Sequence, residues 1–180
     1  EAGSILTGLR QAGLRAGNFT ALQLERPRDF IPAFWACALG GLAPVPLPVA
    51  ASADPEDAAN RLADQTCRML DQPMALVTRG PAAWTPANGV RACDIESLRL
   101  HPPSDRHSGS DSGATALLMA TSGSTSAPKC IALTHANLLS NAAAANQATG
   151  FGSNDVSLNW LGMDHVGGLV RCCLRPVCAG

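Results

Sequence analysis

Lysine is almost absent from this sequence, because only Lys129 of its 13 cationic side chains is not arginine. Charged residues make up 15% of the chain and the formal net charge is −1. No cluster of basic residues offers an electrostatic footprint for nucleic acid, so we expect no nucleic-acid partner. The apolar fraction of 46% excludes a disordered tail and indicates a soluble globular domain.

Three further absences narrow the class of protein. The seven cysteines include no CxxC pair, so we expect reduced, mostly buried thiols, with a zinc site as the minor alternative. The N-terminal EAGSILTGLRQAG lacks the basic-then-apolar order of a signal peptide, which predicts a cytoplasmic protein. The longest mostly apolar run, residues 31–51, contains four prolines. It therefore predicts a buried helix followed by a strand, and no membrane span.

The pattern of apolar residues and turn formers alternates between helix and strand. Helices are predicted over 4–16, from an N-cap at Asp29 to Leu39, over 54–70, over 134–148 with Thr134 as the N-cap, and from Asp164 or His165 onward. Strands are predicted over 19–24, 42–47 (an edge strand), 74–78, 89–95, 115–120 and 156–160, with Trp35 and Trp160 in the core. This order predicts an α/β fold of mostly parallel sheets flanked by helices. Residues 101–113 are polar and rich in turn formers, and predict an exposed connector.

The single lysine ends the loop TSGSTSAPK, residues 121–129. Hydroxyls, a glycine and one ammonium are the groups that a phosphate chain needs, and they are supplied here by Thr121, Ser122, Gly123, Ser124, Thr125 and Lys129. Thr125 could also lie beside a phosphate-bound Mg²⁺. The alternative is a flexible Ser/Gly linker. The loop follows a predicted strand and is expected to enter a helix, which favours a phosphate site. A P-loop phosphotransferase is disfavoured, because Pro128 precedes the lysine and Cys130 follows it.

The stretch LLMATSGSTSAPKCIALTHANLLSN closely resembles the phosphate-binding signature of the adenylate-forming (AMP-binding) enzymes. These are the acyl-CoA synthetases, the luciferases and the adenylation domains of nonribosomal peptide synthetases. The upstream FIPAFWACALGGLAPVPLP and the downstream SLNWLGMDHVGGLV are similar to two other core segments of that family. The three matches lie in order between residues 19 and about 177.

The resemblance implies that a carboxylic acid is activated by ATP to an acyl-adenylate, with release of pyrophosphate. The acyl group then passes to the phosphopantetheine thiol of coenzyme A or of a carrier protein. By similarity, residues 121–125 and Lys129 would hold the β- and γ-phosphates with Mg²⁺, and His165 would line the cleft between acyl group and adenylate. Without the motif, the favoured interpretation of His165 beside Asp164 is a hydrogen-bonded structural residue.

The sequence departs from the family pattern at Ser126, where a glycine is usual, and at Gly162, where proline is common. It also lacks the family's adenine-binding glutamate motif, ribose-binding aspartate, hinge and C-terminal lid with its catalytic lysine. We therefore expect residues 1–180 to be part of one large N-terminal adenylation domain, inactive as an AMP-forming acid–thiol ligase without the rest. The alternative is a non-catalytic truncated remnant or a nucleotide-binding module.

Overall fold

The computed structural model describes residues 1–52, 54–70, 74–80, 90–109, 111–121 and 129–180. In chain order the elements are α1 (Ala2–Gln11), β1 (Phe19–Leu22), α2 (Pro27–Gly40), β2 (Ala43–Pro46), α3 (Ala58–Leu70), β3 (Met74–Thr78), β4 (Arg91–Asp94), α4 (Ile95–Arg99), β5 (Thr115–Thr121), β6 (Lys129–Thr134), α5 (His135–Thr149), a π-helix (Gly167–Leu174) and α6 (Arg175–Val177).

The larger sheet is fully parallel, with the strand order β2-β1-β3-β4. The strand β2 lies at the edge of this sheet. Proline cannot donate a backbone hydrogen bond, and an edge position tolerates the two prolines of β2 because the described sheet has no second strand beside it. β5 and β6 form a separate antiparallel pair. The predicted fold class is thus confirmed, since parallel strands alternate with helices along the first hundred residues.

Apolar side chains pack on both faces of the larger sheet, as expected for parallel strands covered by helices on each side. In β3, Ala75 and Val77 join one buried cluster, which contains side chains of α1, α2 and α4. Met74 and Leu76 join a second cluster, which includes Ala63 and Cys67 of α3. Successive residues of β3 therefore belong to opposite layers, and the chain forms a helix–sheet–helix arrangement.

Several predicted boundaries move by a few residues for identifiable reasons. The first helix ends at Gln11 instead of residue 16, and Gly13 beyond it adopts φ 99°. Gly41 ends α2 as predicted, with the left-handed φ of 66° that favours glycine at this position. The third helix begins at Ala58 instead of Asp54, because the carboxylates of Asp54 and Asp57 accept turn N–H groups from Glu56 and Ala59. The short helix α4 was not predicted.

The prediction of Asp29 as an N-cap is wrong, because α2 already begins at Pro27. The Asp29 side chain is only 1% exposed, and its carboxylate pairs with two guanidinium groups from distant parts of the chain. Arg79 lies 2.7 Å from one carboxylate oxygen and Arg99 lies 2.8 Å from the other. This ion network joins the start of α2 to the end of β3 and to α4.

The predicted strand over residues 156–160 is also wrong. The alternation is present in the sequence, but Val156, Leu158 and Trp160 are 94%, 78% and 81% exposed. A strand needs a neighbour to take its backbone hydrogen bonds, and among the described residues no strand pairs with this segment. Trp160 is therefore not a core residue, whereas Trp35 packs against the buried cluster and meets Phe34 edge to face.

All seven cysteines are free thiols. Cys37, Cys67 and Cys93 are buried, Cys178 is exposed, and the other three are partly buried. Within the described ranges, no group of three His, Cys, Asp or Glu side chains is placed to hold a metal ion. No helix in the same ranges is long and apolar enough to cross a membrane.

The helix α5 begins with a capping box, as the sequence predicts for Thr134. The Thr134 hydroxyl accepts a hydrogen bond from the Asn137 N–H, and the Asn137 side chain accepts one from the Thr134 N–H, both at 3.1 Å. We expect Thr134→Ala to lower the free energy of unfolding by about 1 kcal/mol, measured by urea denaturation. Thr134→Ser keeps the hydroxyl and should lose only a few tenths of that energy. Equal losses in the two variants would contradict a role for the cap.

Candidate functional site

The predicted phosphate loop joins two antiparallel strands. Thr121 is the last residue of β5 and Lys129 is the first residue of β6, and the two face each other as a cross-strand pair. The Thr121 hydroxyl donates to the Lys129 carbonyl oxygen at 3.3 Å. The expectation that the loop enters a helix directly is wrong, because β6 intervenes before α5. The hairpin instead brings both ends of the loop together.

Lys129 stands at the base of this loop with its side chain exposed. In the described part of the chain no carboxylate lies within ion-pair distance of its ammonium group. A surface lysine without an acidic partner keeps its full charge available to an anion. The Lys129 ammonium is therefore accessible to a ligand at the hairpin base. The other predicted loop residues, Ser122, Gly123, Ser124 and Thr125, and the departure at Ser126, lie outside the described residues.

The second predicted site residue, His165, lies in a turn that runs from Leu161 to Gly168, and the last two residues of this turn are the first two of the π-helix. The predicted helix start at Asp164 or His165 is thus two to three residues early. The His165 side chain is exposed, and its Nδ1 accepts a hydrogen bond from the Gly167 N–H at 3.0 Å. A ring nitrogen that accepts a hydrogen bond carries no proton. In the neutral form of the imidazole, this contact places the proton on Nε2.

The turn is anchored in the core by one buried side chain, and its two ends lie close together. The Met163 side chain is 7% exposed and belongs to the larger buried cluster. A Cβ atom on Gly168 would lie 2.1 Å from the Gly162 carbonyl oxygen, so only glycine allows the two ends of the turn to approach this closely. Asn159 adds a clamp, because its side chain accepts from the Leu161 N–H at 2.9 Å and donates to the Gly168 carbonyl at 3.2 Å.

A cavity of about 430 Å³ lies beside this turn. It is lined from the strand side by Leu24, Glu25 and Leu47, and from the turn side by Gly162, Met163 and Asp164. Leu24 and Leu47 follow β1 and β2, so the cavity opens at the carboxyl ends of parallel strands. Ligands of open α/β sheets bind at this edge. Gly162, one of the two departures noted above, forms part of the wall.

The structure brings Thr121 and Lys129 together and places His165 on a separate turn. Among the described residues no hydrogen bond or ion pair joins His165 to either of them. Sequence reasoning missed Asn159, which it placed inside a strand. Its spacing of two residues from Leu161 was a usable signal, because asparagine side chains commonly accept from a backbone N–H two residues on.

Comparison with known proteins identifies the family. The AMP-binding enzyme family matches residues 2–180, and the chain belongs to it. Nonribosomal peptide synthetase btyA from Aspergillus terreus (strain NIH 2624 / FGSC A1156) is 31% identical over 178 residues, which cover 93% of this chain and 19% of that protein. The chain thus spans about a fifth of the length of this relative.

Solved structures agree with this assignment. The structure of McyG A-PCP complexed with phenylalanyl-adenylate has a TM-score of 0.90 and 35% identity, over 99% of this chain and 29% of that chain. The adenylation domain of a keto acid-selecting NRPS module bound to keto acyl adenylate has a TM-score of 0.88 and 26% identity, over 99% of this chain and 33% of that chain. The fold is therefore that of the N-terminal part of an adenylation domain.

Proposed function

We propose that the chain is part of an enzyme that activates a carboxylic acid with ATP. In this reaction a carboxylate oxygen attacks the α-phosphorus, the bond to the β-phosphate bridging oxygen breaks, and pyrophosphate leaves. The products are an acyl-adenylate and pyrophosphate. The observation that supports this most directly is the exposed Lys129 at the base of a Ser/Thr/Gly hairpin loop, in a member of the AMP-binding family.

Each proposed site residue has a role that its chemistry allows. Lys129 and the loop residues Thr121, Ser122, Gly123, Ser124 and Thr125 hold the β- and γ-phosphates and stabilise the negative charge on the departing pyrophosphate. The Thr125 hydroxyl would be a ligand for Mg²⁺, which would neutralise part of the same charge. His165 borders the reacting carboxylate. The chain's contribution is thus positioning and electrostatic stabilisation.

We further propose that the acyl group passes to a phosphopantetheine thiol. The thiolate sulfur attacks the acyl carbon, a thioester forms, and AMP leaves with the electron pair of the broken acyl–phosphate bond. The McyG structure is an A-PCP structure, which supports a carrier protein over coenzyme A as the acceptor. No basic cluster in the sequence supports a nucleic-acid partner.

Acid-dependent exchange of labelled pyrophosphate into ATP tests the activation step in the protein at its native length. The acids should include phenylalanine, a keto acid and a fatty acid, because the solved structures above and that of a fatty acyl-adenylate ligase from L. pneumophila hold a phenylalanyl-adenylate, a keto acyl adenylate and an acyl adenylate. We expect exchange with at least one acid. Exchange with none, together with measurable ATP binding, would favour a nucleotide-binding module instead.

A further inference from the structure

We propose that Asn159 is a positioning residue for His165, and that it fixes the imidazole as an Nε2–H donor facing outward from the turn. What this donor meets during the reaction rests on the proposed function above. The positioning itself rests only on contacts within the turn between Leu161 and Gly168. Asn159 lies six residues before His165 in the sequence, and it acts through backbone groups of the turn.

The amide of Asn159 makes one hydrogen bond to each end of the turn. Its Oδ1 accepts from the Leu161 N–H at 2.9 Å, and its Nδ2 donates to the Gly168 carbonyl at 3.2 Å. Nδ2 also lies 3.7 Å from the sulfur of Met163, the side chain that anchors the turn in the core. An amide carries an acceptor and a donor on two separate atoms of one short side chain, whereas aspartate or leucine could not make both bonds.

The bond to Gly168 continues directly to His165. The carbonyl of Gly168 and the N–H of Leu169 belong to the same peptide unit, and that N–H donates to the His165 carbonyl at 3.0 Å. A hydrogen bond accepted at one end of a peptide unit polarises the donor at the other end. Asn159 therefore fixes the orientation of the peptide unit that holds the His165 backbone.

The imidazole is fixed by the neighbouring peptide units of the same turn. The His165 N–H donates to the Gly162 carbonyl at 3.3 Å, and the Gly167 N–H donates to His165 Nδ1 at 3.0 Å. The Gly162 carbonyl is also the group that Gly168 approaches most closely. If Gly168 moves away from Gly162, the contacts on both sides of the histidine change together. The Nε2–H orientation of His165 thus depends on the ends of the turn staying closed.

The following π-helix gives the turn a further distinctive feature. Eight residues, Gly167–Leu174, adopt this rare helix directly after the histidine. Short π-helical segments are frequent at functional sites. The wide π-helical turn begins at the two glycines that contact His165 and Asn159, so the clamp also marks where this helix starts.

A test that does not depend on activity uses the nitrogen NMR signals of the histidine side chains in the protein at its native length. The signals of His165 are assigned by their loss in His165→Gln. In the wild type we expect the pattern of a single Nε2–H tautomer. In Asn159→Ala we expect a mixture of the two tautomers, with far-ultraviolet circular dichroism unchanged. Asn154→Ala, an exposed asparagine in the preceding loop, is the matched control and should leave the pattern unchanged.

Kinetics supply the second measurement, with the acid that gives exchange. We expect Asn159→Ala to reduce kcat by roughly 10- to 100-fold with little change in KM for ATP, because misplacing a reactive group by about 1 Å has an effect of this size. In a His165→Ala background the same substitution should cost almost nothing further. Asn159→Asp, which keeps the acceptor for Leu161 and loses the donor for Gly168, should resemble Asn159→Ala.

Different results would reject the positioning role of Asn159 and the proposed activation of an acid. A single Nε2–H tautomer that persists in both Asn159 variants would overturn the positioning role even if exchange is observed. Equal losses from Asn159→Ala with and without His165 would overturn it as well. A tautomer change without exchange by any acid would leave the clamp intact and reject the proposed activity.

Discussion

Replacing Lys129 with alanine is expected to reduce acid-dependent pyrophosphate exchange by roughly 10²- to 10³-fold, the usual effect of losing one preorganised group that stabilises transition-state charge. The side chain is exposed and, among the described residues, lacks an acidic partner, so its removal costs the fold little. The free energy of unfolding should change by no more than about 0.5 kcal/mol. Exchange rates and urea denaturation of the same preparation measure both quantities.

The matched control for this substitution is Arg91→Ala. Arg91 is an exposed cation at the start of β4, at the edge of the larger sheet, so the net charge changes equally in both variants. The control should retain exchange within about twofold, since exposed charges remote from a site act weakly through water and salt. Lys129→Arg keeps a cation of different shape and should recover only part of the activity. Exchange by Lys129→Ala at the wild-type rate would reject the role of the lysine.

Replacing Asp29 with asparagine is expected to lower the free energy of unfolding by about 3 kcal/mol. Asp29 is 1% exposed, and its carboxylate is the shared partner of Arg79 and Arg99. Removing one member of a buried ion pair leaves the other charge without compensation, which costs roughly 3–5 kcal/mol. Glu96 also pairs with both arginines, and Arg79 is 37% exposed and can turn toward water. Part of their charge therefore stays compensated, which places the expected value at the lower end.

The surface pair of Asp64 and Arg68 supplies the control. It is a shorter contact, 2.6 Å, but Arg68 is 54% exposed and Asp64 is 27% exposed, and the two lie one helical turn apart. Asp64→Asn should therefore cost no more than about 0.5 kcal/mol. A loss from Asp29→Asn as small as that from Asp64→Asn would mean that the buried network adds nothing to stability.

The stability that Asp29 contributes is also expected to depend on pH. Burial raises the pKa of Asp29, but the guanidinium groups of Arg99 and Arg79 together lower it further, so the pKa lies below its ordinary value of 3.8. The stability that the carboxylate contributes is fully present above pH 3.8 and is lost as the pH falls through the lower folded value. Acidification should thus narrow the difference in stability between the wild type and Asp29→Asn.

Local signals in the sequence were sufficient for much of the fold. The apolar runs of β1 and β3, the glycine pair that ends α2, and the Thr134 cap all act through neighbours in the chain, and each lies where the sequence predicts. The order of these elements then predicts parallel pairing, because strands joined through a helix run in the same direction.

The errors arose where distant groups decide the structure. Three residues of β6 are exposed and three are only partly buried, so burial leaves little periodic pattern in KCIALT, and the strong cap signal that follows suggested helix alone. Asp29 looked like a cap because aspartate is common there, but its partners lie 50 and 70 residues away. Residues 156–160 carry a strand pattern without a paired strand among the described residues. For the site, sequence patterns predicted Lys129 and His165. For Asn159 the sequence carries a signal only for the local bond from the Leu161 N–H, because the second bond, to the Gly168 carbonyl, depends on the folded turn.

Some cysteine side chains are buried and others are exposed, so the rates at which they react can measure local opening of the structure. Burial raises the pKa of Cys37 to about 12 and that of Cys67 to about 11, so near neutral pH almost none of either thiol is present as the reactive thiolate. An alkylating reagent can modify them only after α2 or α3 has moved away from the sheet. Cys178, exposed near the end of the chain, reacts without such opening. The labelling rate of Cys37 relative to that of Cys178 therefore reports how often α2 separates from the strands, and the same ratio for Cys67 reports this for α3.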